Sequence, residues 1–111
     1  MGSIFPEPIL RLPEAEIPVE GAVGYLSQGQ GHQVVYMRFS KDVDLAEHAH
    51  RAQWGIIIDG RVDLTIGGTR RTYARGDNYF VPDGVKHHGH IHAGLTVVEF
   101  FDQPDRYKVK K

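Results

Sequence analysis

The sequence predicts an all-β domain, a sandwich or barrel of short strands. Three observations carry this. Runs rich in β-branched and aromatic residues recur along most of the chain. Turn signals built from Gly, Pro, Asp and Asn separate them at short, even intervals. No segment carries the 3.6-residue apolar spacing of an amphipathic helix.

Taken in order, residues 1–20 read as an extended arm. Pro6, Pro8, Pro13 and Pro18 break "IFPEPILRLPEAEIPV" into short pieces, so no helix can run through it. The arm still carries Ile4, Phe5, Ile9, Leu10, Leu12, Ile17 and Val19. That is too apolar for a loose tail, so it must lie on this domain's own sheet edge or on a partner's. Residues 21–111 then form a single domain. Its strand-like runs are "VGYLS", "QVVYMRF", "DLAEHAH", "WGIII", "RVDLTI", "TRRTYA", "NYFV", "KHHGHIH" and "LTVVEFF". The breaks between them include "QGQG", "SKD", "DG", "RGD" and "PDG". Gly67-Gly68 is a hairpin turn, because glycine takes positive φ without strain.

Bulk properties narrow the function. A length of 111 residues is one domain, and 41% hydrophobic with 24% charged residues is ordinary globular composition. A formal net charge of -1 announces no nucleic-acid surface. The absence of cysteine excludes disulfides, thiolate metal sites and a cysteine nucleophile. No apolar run reaches membrane-span length and no leader pattern is visible, so a soluble cytoplasmic protein without nucleic-acid or membrane partners is expected.

Histidine is where chemistry concentrates. Residues 47–60 read "EHAHRAQWGIIIDG". In a strand, residues i and i+2 share a face, so His48 and His50 would present neighbouring imidazoles. Alone, such a pair is equally a polar surface. Residues 76–92 read "GDNYFVPDGVKHHGHIH", with His87 following a Pro82-Asp83-Gly84 turn. Together the two stretches resemble the paired motifs of the cupin family. "HAH" at 48–50 and Gly60 match the first motif. Gly76, Pro82, Gly84 and His87 match the second at full spacing. The first motif departs in two places. Asp42 stands where it has glycine, and Trp54 and Gly55 stand where it has glutamate. Gln53 keeps the right distance to Gly60 and takes the glutamate's place, one residue early. The second motif's asparagine is replaced by Ile91.

The resemblance implies a double-stranded jelly-roll barrel. It implies a site of His48, His50 and His87, with Gln53 as a fourth, weaker ligand. The group held would be one divalent transition metal per chain, Fe, Ni, Zn or Mn. The function implied is that of a small metalloenzyme acting on an oxygen-bearing small molecule, with dioxygenase chemistry ahead of isomerase or lyase chemistry. The other reading is a non-catalytic binding module for a sugar or carboxylate. Cupins often pair by exchanging edge strands, so the arm makes a homodimer the expected assembly. Free imidazole titrates at about pH 6.5, so such a site is expected to lose its metal between roughly pH 6.5 and 5.

Other residues carry weaker expectations. Alternation puts His88, His90 and His92 on the face opposite His87, unless Gly89 hosts a bulge. His32 reads as a loop residue. Tyr25, Tyr36, Tyr79 and Arg38 could point into a pocket, and Trp54 reads as core or pocket wall. Glu99 is the odd carboxylate in "LTVVEFF", and periodicity does not say which way it faces.

Overall fold

The alternation expected from the sequence is realised as nine strands among the described residues. In the computed structural model, which describes residues 4–111, these are β1 (Ala22–Gln28), β2 (Gln33–Phe39), β3 (Val43–His48), β4 (Gln53–Asp59), β5 (Arg61–Ile66), β6 (Thr69–Ala74), β7 (Asn78–Val81), β8 (His87–Ile91) and β9 (Thr96–Phe101). They form two antiparallel sheets with strand orders β1-β2-β9-β4-β7 and β3-β8-β5-β6. Non-consecutive neighbours in both sheets are the mark of a jelly roll. Each sheet turns one residue set inward: Val35, Met37 and Phe39 from β2, Ile57 from β4, Val62 and Leu64 from β5, and Val97 and Phe101 from β9.

Register decides what meets inside. Across the five-stranded sheet, Tyr79, Gly55, Glu99 and Val35 stand in one row, and Val81, Gln53, Phe101 and Gln33 in the next. Glu99 and Gln53 therefore share the interior face on adjacent rows. Both are buried.

The arm folds back on its own barrel. Residues 1–3 lie outside the described residues. Ala15 donates its N–H to Gly24 and Leu26 donates to Pro13, which covers the free edge of β1. The C-terminal residues then pair with the arm, through Glu16 N–H to the Lys108 carbonyl and Lys110 N–H to the Glu14 carbonyl. Phe5 is buried edge-on against Tyr36. One detail differs from expectation. Glu7–Leu10 make a single helical turn, α1. Proline does not forbid it, because Pro6 caps it and Pro8 lies in the first turn, where the backbone N–H has no helical partner anyway. No helix of the described residues is long and apolar enough to cross a membrane.

Candidate metal centre

β3 and β8 lie side by side in the four-stranded sheet, and His48 is the register partner of His87. The pairing slips between Leu45 and His48, so the strand takes an extra residue there. His48 ends β3, and His50 lies in the following loop rather than on a regular strand face. The Pro82-Asp83-Gly84 turn fixes that loop, since the Gly84 N–H donates to the His50 carbonyl at 2.9 Å. Ring centroids are 4.1 Å apart for His48 and His87, 4.8 Å for His50 and His87, and 5.3 Å for His48 and His50. One ligating atom from each of the three lies within 4.8 Å of the others.

The imidazoles are set up as ligands by their outer nitrogens. Nδ1 of His48 sits 2.7 Å from the Ala46 carbonyl, that of His50 2.7 Å from the Arg51 carbonyl, and that of His87 3.0 Å from the Val85 carbonyl. A carbonyl only accepts, so each Nδ1 carries the hydrogen. Each Nε2 is left with a lone pair. Nε2 of His50 and of His87 is buried without a protein partner, and so is Oε1 of Gln53. Burial lowers the pKa of His50 to about 4 and also lowers that of His87, with the Arg106 charge adding to both. The pair stays neutral and able to coordinate. Imidazole nitrogens with an amide oxygen suit a borderline transition metal and not Mg or Ca. The residues present fit the expected ion.

Gln53 is oriented by Glu99. Its Nε2 donates to one carboxylate oxygen, and the Tyr79 hydroxyl donates to the other. Gly55 lies between Tyr79 and Glu99 in the same row. A Cβ there would stand 2.4 Å from the Tyr79 ring, so only glycine lets the phenol pass over β4 to the carboxylate. Burial raises the Glu99 pKa to about 7, against the lowering effect of the Tyr79 hydrogen bond and the Arg106 charge. Burial also raises Tyr79, with the Glu99 charge second.

These groups line one cavity of about 530 Å³ between the sheets, which Arg106 and Tyr107 also line. The Gln33 amide holds the tail there, accepting from the Tyr107 N–H at 3.0 Å and donating to its carbonyl at 2.9 Å. The Arg106 guanidinium lies 4.6 Å from the Tyr107 ring centroid and 5.7 Å from that of Phe101, and its Nε is buried without a partner. Sequence reasoning missed Arg106, because it lies in an irregular tail with no motif around it.

The remaining candidates separate cleanly. Glu99 and Tyr79 face the cavity, whereas Tyr36 packs on Phe5, and Tyr25 and Arg38 line a separate surface groove. Trp54 is not core. It is 40% exposed on the outer face, because its neighbour Gln53 points inward. His88, His90 and His92 do not line the cavity, and β8 runs past Gly89 without a bulge against β5. His32 stacks on Phe100 in the β1–β2 loop.

Known proteins agree with this architecture. The Cupin domain family model matches residues 35–103. The chain is similar to an RmlC-like cupin from Shewanella frigidimarina, at 25% identity and TM-score 0.73, covering 85% of this chain and 86% of that one. It is similar to KdgF from Halomonas sp., at 19% identity and TM-score 0.70, covering 83% and 88%. It is also similar in fold to Bacillus subtilis oxalate decarboxylase, a protein with Mn(II) centres, at 21% identity and TM-score 0.68, covering 82% of this chain and 28% of that one. No curated protein matches the chain. The chain belongs to the cupin family.

Proposed function

We propose that the protein is a small metal-dependent enzyme acting on an anionic, oxygen-bearing small molecule. One observation carries the reading. Two buried imidazole nitrogens and a buried amide oxygen lack protein partners in residues that line a cavity shared with Arg106 and Glu99. Orphaned buried polar atoms are costly, and a bound ion would satisfy these. His48, His50 and His87 would hold one divalent Fe, Ni, Zn or Mn, with Gln53 through Oε1. When bound, the ion supplies Lewis acidity toward a coordinated oxygen. Four neutral ligands leave its charge uncompensated, which favours an anionic substrate. Arg106, which lines the same cavity, would pair with the same charge.

The neutral ligand set points to dioxygenase-type chemistry. A specific observation supports a second reading, isomerase or lyase chemistry. Glu99 is a buried carboxyl on the cavity wall, linked to Tyr79, and such a group can hold a proton at its carboxyl oxygen and pass it on. Iron-loaded and manganese-loaded protein should be offered small diketones, catechols and hydroxy acids, with oxygen uptake measured in air and solvent deuterium uptake measured without oxygen. Oxygen consumption selects the first reading, and deuterium exchange lost in Glu99→Gln selects the second. Ligand binding with neither signal would show a binding module. A chain that takes up no metal at His87 overturns the proposal.

A homodimer in the cytoplasm belongs to the same proposal. The arm does not argue for the dimer, since it covers its own barrel. The outer face of the five-stranded sheet does. Phe80, Trp54 and Phe100 form a cross-strand row there, 56%, 40% and 38% exposed. Light scattering of Trp54→Glu tests it: a wild-type dimer that becomes monomeric supports this face, and a wild-type monomer overturns the dimer.

A further inference from the structure

We propose that the outer face of the four-stranded sheet carries a second divalent-metal site, formed by Asp42, His90 and His92. It shares no residue with the inner cluster. His87 and Ile91 point inward from β8, so His90 alternates outward. Asp42 directly precedes β3, and His92 directly follows β8. One ligating atom from each of the three lies within 4.8 Å of the others.

Proximity alone would also describe a surface ion-pair network. The arrangement of the remaining atoms argues for more. Asp42 accepts the Ala93 N–H at 2.8 Å through Oδ1, and its Oδ2 faces His90 Nε2 at 3.4 Å. His90 Nδ1 lies 2.6 Å from Asp44 Oδ1. His92 Nε2 lies 2.8 Å from Asp63 Oδ2, and Asp63 is itself held by the Thr72 hydroxyl at 2.6 Å. Carboxylates accept, so those two ring nitrogens donate. In the neutral rings the lone pairs then fall on Nε2 of His90 and Nδ1 of His92. Each residue thus has one polar atom pinned, and both histidines have a carboxylate beside them, the kind of partner that orients imidazoles on metals.

Two imidazoles and one carboxylate form a donor set for Zn(II), Co(II), Ni(II) or Cu(II). The outer position stays open to solvent, so water or a group from another molecule would complete the shell. An ion here would tie the β2–β3 turn, which holds Asp42, to the end of β8 and the residue after it, which supply His90 and His92.

The test is a zinc titration of the full chain by calorimetry, with bound metal counted after gel filtration. Asp44 and Asp42 raise the His90 pKa, so it is run at about pH 8, where that imidazole gives up its proton more readily. The wild type should bind two zinc ions per chain. His90→Gln and Asp42→Asn should each lose one and keep the other, and His87→Ala should lose only the inner one. Asp42→Asn can still accept from Ala93, so its fold is preserved. With cobalt, the visible absorption lost in His92→Gln should differ from that lost in His87→Ala. Zinc counts unchanged in both His90→Gln and Asp42→Asn would overturn the site and leave an ion-pair network. A single ion lost in His87→Ala would overturn it too. A single ion lost only in the outer variants would support it and overturn the inner centre.

Discussion

Gln53 donates its amide N–H to Glu99, and its own Oε1 has no protein partner. This explains why an amide stands where the family motif has a carboxylate. A glutamate at 53 would meet Glu99 as a second buried acid. The amide serves both neighbours, a donor toward the carboxylate and an acceptor toward the cavity.

The first prediction follows from that pairing. Gln53→Glu should destabilise the metal-free protein by about 2 kcal/mol at pH 8, since a buried hydrogen bond is replaced by like charges. The loss should shrink at pH 5, where protons relieve the pair. The Glu99 pKa is raised to about 7 from 4.5, so the native state keeps a proton that the unfolded chain releases in that window. Wild-type stability from this group is therefore lost as pH rises through it. Adding Glu99→Gln should remove that slope and rescue Gln53→Glu. Urea unfolding at the two pH values checks this, and an equal loss at both would place the destabilisation elsewhere.

Metal loss should come at lower pH than free imidazole implies. His50 is held down to about 4 by burial, so the native site resists protonation well below 6.5. The unfolded chain takes up that proton first, so the metal-free barrel loses stability as pH falls from 6.5 toward 4. The bound ion should survive to roughly pH 5 and leave below it. Thermal melts with and without zinc, from neutral pH down to acid, give the window; a gap already closed at pH 6 would contradict the buried geometry.

Gly55→Ala should cost about 1–3 kcal/mol, because the new methyl overlaps the Tyr79 ring. Its signature would be specific. Tyr79 should lose its hold on Glu99, so Tyr79→Phe should add little on top. A double-mutant cycle by chemical unfolding measures this, and full additivity would show that the methyl acts elsewhere.

Deleting residues 1–16 should lower stability by about 3 kcal/mol or more. It removes buried Phe5 and Ala15, uncovers the edge of β1 and frees the C-terminal strand pairing. Arg106 should loosen with the tail, so ligand affinity should fall in the same variant. Unchanged melting after truncation would contradict the contacts.

Strand order of appearance was legible in the sequence because β-rich runs alternate with turn signals, and most strands bury one face. The meeting of the three histidines was legible because the second motif keeps full family spacing and the first keeps its pair of histidines. Three features were not. β9 is central and apolar on both faces, so alternation could not orient Glu99. Residues 102–107 have no periodicity, so Arg106 carried no signal. The Leu45–His48 slip, which brings His48 opposite His87, depends on the partner strand. Trp54 was within reach: once Gln53 is read as inward, parity sends its neighbour out.

The Gly84 N–H to His50 carbonyl bond joins the β3–β4 and β7–β8 connections, two crossings between the sheets that are distant along the chain. The inner donors therefore meet only after both crossings are in place. An ion cannot gather them early at low entropic cost, because loop closure must come first. Metal binding here is a latch on the finished barrel rather than a seed for it. It acts on the rate at which the protein opens, and leaves the rate at which it forms largely untouched.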